Sequence, residues 1–351
     1  MAKTLDPAAI RAAQAENPKM RARDLAASLD IAEADYVAAW CGEGTTRLKA
    51  DFNLIFPALE ALGEVMALTR NESAVHEKTG VYDTFHAGKH AAMMLGDAID
   101  MRMFSRYWVH AFAAETQDGD AVRHSLQFFD AHGEAVHKIH SRAATNLAAW
   151  RDLVAAFAHE DQSASVVLEA RTAPAKRPGT AAIHDELRDR WSRMTDTHQF
   201  VSILKKLDLD RIDAVRGVGD DFAWQIDPSS IGAMLRLSAN EKLPIMCFVG
   251  NPGCIQIHSG PVETIKEMGP WLNVLDPGFN LHLRQDHVKE VWAVRKPTDK
   301  GHVTSLEAYS AAGDLIVQFF GKRIEGQDER EGWRIIMEQL PRLQQNERVA
   351  G

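Results

Sequence analysis

The stretch Ser125-Leu126-Gln127-Phe128-Phe129-Asp130-Ala131-His132-Gly133 comes back 180 residues later as Ser305-Leu306-Glu307-Ala308-Tyr309-Ser310-Ala311-Ala312-Gly313. Ser125-Leu126 stands over Ser305-Leu306, Ala131 over Ala311 and Gly133 over Gly313, with no gap. The same shift pairs Asn71 with Asn251, Gly80 with Gly260 and Leu95 with Leu275. A shift of 178 pairs Leu29-Asp30 with Leu207-Asp208, Asp35 with Asp213 and Val37 with Val215. Register kept over such a span predicts an internal duplication. Two copies are too few for a solenoid, so each copy is expected to be an antiparallel sheet with flanking helices, an α+β fold.

Residues 1–66 read as helical. Within them, 22–31 and 32–37 look like two short helices joined by a tight turn, in the manner of a helix-turn-helix. A DNA reader needs basic and polar residues on the second helix, whereas this one carries Glu33 and Asp35 and no Lys or Arg. From Met66 to His140 the pattern turns to period 2: Val81-Tyr82 follows Gly80, Ile99, Met101 and Met103 alternate, and Ser125–Phe129 leads through a turn into Ala135–His140. A helix is expected over Asn146–His159. Residues 160–182, with Pro174, Pro178 and Gly179, read as a linker. The second half opens with helices over 183–215. Strands follow at 246–249, 254–257, 279–284, 291–296, 303–309 and 315–320, and a helix over 328–340 closes it. The expected division is a first repeat 1–160, a linker 161–182 and a second repeat 183–345.

Composition narrows the function classes. Of 351 residues 45% are hydrophobic and 25% charged, as in ordinary globular chains, and the net charge of −9 argues against nucleic acid or an anionic membrane as main partner. No apolar run is long enough to span a bilayer, and Met1–Pro7 does not read as a signal peptide, so a cytoplasmic, non-membrane-embedded protein is expected. Cys41, Cys247 and Cys254 form no CxxC and fit buried thiols better than a disulfide framework or zinc site.

Thr195-Asp196-Thr197-His198-Gln199-Phe200 reads as a helix entered at a Thr/Asp cap, with Phe200, Ile203, Leu204 and Leu207 on one apolar face and His198 in the first turn. A second short helix begins at Arg211 behind Asp210. His198 aligns with Met20 of the first copy, Arg211 with Glu33, and Arg102 with His282. The central imidazole and guanidinium therefore belong to the second copy alone. Together they suit a flat apolar ligand with a metal at its centre and carboxylates at its edge. Haem is such a ligand: imidazole binds its iron, and cations offset its two propionates. The second half offers Arg211, Lys296 and Arg323, with Trp292, Val294 and Lys296 on one strand face and Ile316, Gln318 and Phe320 on another. Taken singly, these residues read equally as a packed capping histidine, solvated strand-end cations and core aromatics.

Several motifs in one order carry a resemblance. They are Asn71–Glu77, Leu126-Gln127-Phe128-Phe129-Asp130, Asp196–Phe200, Trp271-Leu272-Asn273, Lys296-Pro297-Thr298 and Val303–Glu307. With them the chain, from about Asn17 to Trp333, resembles the bacterial cytoplasmic haemin-degrading factors, or haem-trafficking proteins, of haem utilisation. The resemblance implies a duplicated fold with two large antiparallel sheets stacked centrally and helices outside. It also implies one haem b, bound between the C-terminal half and a strand of the N-terminal half. It gives His198 the proximal iron ligand, Arg102 the distal position with Phe104 beside it, and Arg211, Lys296 and Arg323 the surroundings of the propionates. Gln318 and Phe320 match pocket positions, Phe320 where relatives carry tyrosine. For Arg102 the alternative is a strand residue paired with Asp100 or another acid.

His86/His90 and His137/His140 read as surface histidines, and His76 and His282 as weak candidates for alternative ligation. Two functions follow from the resemblance. In one, the protein cleaves the porphyrin with electrons from an external donor such as a reductase. In the other, it accepts haem from the cytoplasmic side of the importer and hands it to a separate haem oxygenase.

Overall fold

The period-2 runs become strands, and the spacing of the two copies survives in three dimensions. The computed structural model describes residues 5–89, 91–119, 121–171, 181–323 and 328–343. His90 and residues 172–180 of the expected linker lie outside them.

The first half contains helices α1 (Pro7–Glu16), α2 (Ala22–Leu29) and α3 (Glu33–Ala38), strand β1 (Thr45–Leu48) and helix α4 (Phe52–Ala58). Strands β2 (Val65–Arg70), β3 (Ala74–Gly80), β4 (Phe85–His86), β5 (Ala92–Leu95) and β6 (Asp100–Met103) follow. Strands β7 (His110–Asp118), β8 (Ala121–Phe129) and β9 (Ala135–Ser141) and helix α5 (Leu147–Phe157) complete it. The second half runs α6 (Ala181–Ser192), α7 (Gln199–Leu207), α8 (Arg211–Gly217), β10 (Ala223–Ile226) and α9 (Ser230–Asn240). It continues with β11 (Ile245–Gly250), β12 (Cys254–Gly260), β13 (Ile265–Met268), β14 (Trp271–Asp276) and β15 (Phe279–Arg284). Strands β16 (Glu290–Thr298), β17 (Gly301–Tyr309) and β18 (Leu315–Gly321) and helix α10 (Glu331–Gln339) end it.

Strands β2, β3, β7, β8 and β9 recur 180 residues on as β11, β12, β16, β17 and β18. Helix α3 and strand β1 recur at 178 as α8 and β10. Irregularities recur as well. A register shift falls between Phe128 and Phe129 and again between Ala308 and Tyr309. The turns after these bulges need a left-handed residue, and Gly133 (φ 79°) and Gly313 (φ 87°) supply it. Helices α2 and α7 both stop on an aspartate in the left-handed region, Asp30 (φ 59°) and Asp208 (φ 51°), which explains the Leu-Asp pair in each copy.

Among the described residues the strands form two antiparallel sheets of nine, and the chain divides into two compact units. The first comprises residues up to 70, 76–173 and 250–256. It contains the strand order β1-β7-β8-β9-β2 and the ribbon β4-β5-β6. Its core gathers Phe52, Phe56, Tyr82, Trp108 and Phe128. The second comprises residues 71–75, 174–249 and 257 onward. It contains β10-β16-β17-β18-β11 and β13-β14-β15. One core lies under α9 and α10, and another lies under α6, α7 and α8 around Trp191, Phe200 and Tyr309.

Three local expectations change. Residues 1–66 are not all helical, because Thr45–Leu48 pairs with β7; four residues are too short a run for alternation to reveal. Val81-Tyr82 lies beyond the end of β3, where Tyr82 turns into the core. Helix α9 was not foreseen, although Ile231, Met234, Leu235 and Ser238 bury one face at helical spacing. The helix-turn-helix look of α2–α3 serves packing: Glu33 is buried and bonded to Lys138.

Candidate functional site

Asp196 organises the entry to α7. Its Oδ1 accepts both the backbone N–H of His198 and its ring Nδ1–H, each at 2.7 Å. One residue earlier, the Thr195 N–H donates to Gln199 Oε1 (2.9 Å) and Gln199 Nε2 donates back to Thr195 Oγ1 (3.2 Å). The helix starts at Gln199, so His198 holds the N-cap position rather than the first turn. Its side chain is 93% exposed. A proton on Nδ1, held by a carboxylate, fixes the tautomer whose Nε2 carries a free lone pair, the arrangement common behind metal-binding histidines. The hydrogen bonds from the His198 N–H and ring, and the nearby Arg323 guanidinium more weakly, hold the Asp196 carboxyl below its ordinary range. Arg323 is itself exposed.

Two residues along, Phe200 turns inward against Trp191, ring centres 4.9 Å apart. The outer side of the Phe200 ring carries two cations: the Arg211 guanidinium 4.8 Å and the Lys296 ammonium 4.6 Å from its centre. Both converge on Glu307, which is completely buried. Arg211 Nη1 lies 3.2 and 3.3 Å from its two oxygens, and Lys296 Nζ 3.0 Å from Oε1. Ser305 Oγ and Gln318 Nε2 donate to Oε1 at 2.8 Å each, and the Tyr309 hydroxyl donates to Oε2. Burial pushes the Glu307 carboxyl up, but Lys296 first and Arg211 next outweigh it and hold the group far below the carboxylate range. Lys296 moves down, because full burial and the Arg211 charge act against its ammonium while Glu307 supports it. Two cations and three further donors on one carboxylate favour its charged form.

Cross-strand register sets what surrounds this cluster. Glu307 lies between Trp292 and Gln318, and Ser305 between Val294 and Phe320. Trp292, Val294 and Lys296 therefore share a sheet face with Gln318 and Phe320 across β17, whereas the register shift turns Ile316, expected on that face, into the core under α9 and α10 with Val317. Next to them on β11, Phe248 pairs with Gln318 and Met246 with Phe320. Phe248 and Phe320 meet edge to face at 5.0 Å and are half-buried. An apolar, partly open sheet face thus borders a cation pair of which Lys296 is buried and Arg211 half-buried. Arg211, Lys296 and Gln318 are brought together, Phe320 lies on the adjoining face, and Arg323 sits instead near Asp196. Sequence reasoning missed Glu307, Phe248 and Met246. The available signal was a carboxylate two residues from Ser305 and two from Tyr309, at an inward position of an otherwise uncharged strand.

The first unit holds the other candidates. Arg102 stands opposite Met93 on β5, and its Nη1 donates to Asp100 and to the Met101 carbonyl (3.1 Å). This is the strand pairing weighed as its alternative. Phe104 lies just past the end of β6, its N–H on the Gly253 carbonyl at 2.9 Å. His86 is exposed, as expected, but His137 is buried. Thr69 Oγ1 meets His137 Nδ1 at 2.8 Å and the Tyr82 hydroxyl meets Nε2 at 2.6 Å, while burial pulls the ring down to about 3. The bulge beside β9 is the reason: Val136 and His137 are both inside. His76 is fully buried, and His282 Nδ1 is bonded to Asn273 (2.6 Å), so neither is an open ligand.

The first copy shows what its positions hold instead. Gln127 stands where the second copy has Glu307, Thr116 where it has Lys296 and Phe129 where it has Tyr309. Glu33 replaces Arg211, and Lys138 replaces Gln318. Glu33 and Lys138 bond to each other, closing this position with a balanced pair.

The chain matches the haemin-degrading HemS.ChuX domain over residues 30–157 and 208–340, one region in each copy. It is 42% identical over 324 residues to the hemin transport protein HemS of Yersinia enterocolitica, covering 92% of this chain and 93% of that one. Its fold matches holo-PhuS, a heme-binding protein from Pseudomonas aeruginosa, with a TM-score of 0.93 and 39% identity over 97% of this chain and 100% of that one. It also matches ChuS, an E. coli heme oxygenase, with a TM-score of 0.85 and 36% identity over 93% and 97%.

Proposed function

Because the chain belongs to the haemin-degrading HemS/ChuX family, we propose that it binds haem in haem utilisation, with His198 on the iron and Arg211 and Lys296 serving the propionates. The observation that carries this is the helix α7: a tautomer-fixed, exposed imidazole at its start and, two residues on, a ring that seats two cations, Lys296 buried and Arg211 half-buried. Haem supplies iron and a macrocycle open to oxidation. The chain's own residues bind and orient it: Asp196 holds the Nδ1 proton, Phe200 supports the cations, and Phe248 and Phe320 offer apolar surface.

The fuller reading is a cytoplasmic protein that accepts haem and opens the porphyrin with electrons from an external donor, releasing iron. In this reading Arg102 would serve the haem as a hydrogen-bond donor. A second reading, a carrier that hands haem to a separate oxygenase, draws on the 93% exposure of His198, since a ligand at the surface is easily exchanged. Among the described residues no helix is long and apolar enough to cross a membrane, in keeping with either. The discriminating experiment adds ascorbate to the haemin complex in air with catalase present. Loss of the Soret band with a bilin product and free iron supports degradation. Haem that persists until an oxygenase is added supports carriage.

A further inference from the structure

A haem-binding reading calls for cations and an imidazole; it does not call for a buried acid among them. We propose that Glu307 is a positioning residue that holds Arg211, Lys296 and Gln318 as one unit with a single surplus positive charge, and so tunes the site to one entering carboxylate. This rests on the reading of Arg211 and Lys296 as propionate partners.

The argument is first one of charge and reach. Around the carboxylate stand Arg211 from α8, Lys296 from β16, Ser305 and Tyr309 from β17 and Gln318 from β18, with Phe200 of α7 and Trp191 of α6 against the cations. The titratable members are Glu307, Lys296 and Tyr309. A buried ammonium beside a guanidinium sheds its proton unless an anion faces it. Glu307 is that anion, and it is the group that supports the charge on Lys296 against burial and Arg211. Two cations less one carboxylate leave one charge, enough for one propionate; a second acid group has to be met elsewhere, and exposed Arg323 is available. The first copy supports the assignment independently. Where Gln127 replaces the acid, neither cation is present, and Gln127 Nε2 turns to Ser125 Oγ at 3.0 Å. At the positions equivalent to 211, 296 and 307 the buried acid and both cations are present in the second copy and all replaced in the first.

The test compares haemin with its dimethyl ester, which lacks free carboxylates, by absorbance titration from pH 6.5 to 9. Both ligands use the same imidazole, so the affinity ratio isolates the carboxylate contact. The wild type is expected to prefer haemin by about tenfold or more, or about 1.4 kcal/mol, at every pH. In Glu307→Gln the surplus is two charges while Lys296 is protonated, so the preference should exceed that of the wild type at pH 6.5 and should fall by about fivefold or more as pH rises, because Lys296 then loses its proton within the range. Ester affinity should stay within about twofold, and Glu307→Asp should bring the ratio and its pH dependence part of the way back to wild type. A pH-independent ratio in folded Glu307→Gln overturns the proposal. Should that variant fail to fold, Glu307→Asp and Tyr309→Phe are titrated in the same way, and an unchanged ratio in both overturns it. A wild-type ratio of about one sinks the propionate reading instead. The hold on Lys296 is then decided by NMR titration of lysine-labelled protein. Earlier deprotonation in the Glu307 variants sustains it, and an unchanged midpoint overturns it.

Discussion

Lys296 Nζ lies 3.0 Å from Glu307 Oε1, with both groups out of contact with water. The pair is therefore a structural element as well as a candidate ligand contact. Removing Lys296 leaves Glu307 with Arg211 as its remaining cation, so the cost should fall below the about 3–5 kcal/mol of a partner left wholly uncompensated. Lys296→Ala should lower the urea midpoint accordingly. Arg323→Ala, at an exposed position, should stay within about 0.5 kcal/mol and weaken haemin binding only slightly, with the loss vanishing at high salt. Equal destabilisation by the two changes would refute the assignment of Lys296 to a buried pair.

For His198 the expectation is reversed. Its exposed side chain adds little to stability, so His198→Ala should melt within about 0.5 kcal/mol of wild type while losing the Soret and visible bands of histidine-ligated haem. Added imidazole should restore those bands. A spectrum unchanged by the substitution would place the iron ligand elsewhere.

Acid stability is set partly by His137. Its ring is held to about 3 when folded, against about 6.5 in an unfolded chain. Between those values the unfolded state binds the proton and the native state does not, so stability present above about pH 6.5 is lost as pH falls toward 3. His137→Leu strands the Thr69 and Tyr82 hydroxyls and should cost about 1–3 kcal/mol at pH 7.5. That deficit should shrink on acidification. Urea titrations from pH 7.5 to 4 measure it, and a constant deficit would contradict the buried neutral ring.

Arg102 bonds Asp100 on its own strand through Nη1, so a distal role in haem chemistry would draw on its remaining N–H donors. Arg102→Ala should retain ferric haem with affinity changed by less than about 1 kcal/mol, alter the pH dependence of the ferric spectrum and slow reductant-driven breakdown. Arg102→Lys should rescue only in part, since the planar fork is lost. Identical spectra and decay rates in wild type and Arg102→Ala would leave Arg102 as a strand residue.

The duplication was legible because side-chain register outlasts chemistry: Ser125-Leu126 and Ser305-Leu306 occupy matching places on β8 and β17. Arg211, Lys296 and Gln318 were each visible, but their convergence was not. The group that gathers them is a single glutamate that pattern reading treats as one more strand residue. His137 was misplaced because a bulge breaks strict alternation, so counting by twos fails there. Phe248 and Met246 were out of reach because the pairing of β11 with β18 joins segments about seventy residues apart. Pairing over such a distance leaves no local trace.

The ion pair Glu33–Lys138 occupies in the first copy the place of the cation cluster in the second, with the polarity reversed: the helix there carries the acid and the strand the base. The chain therefore contains its own untreated control. Half of it records how this architecture balances the position when no anion has to be received. Transplanting Arg211, Lys296, Glu307 and Tyr309 onto Glu33, Thr116, Gln127 and Phe129 would ask of one molecule how few substitutions separate a scaffold from a receptor.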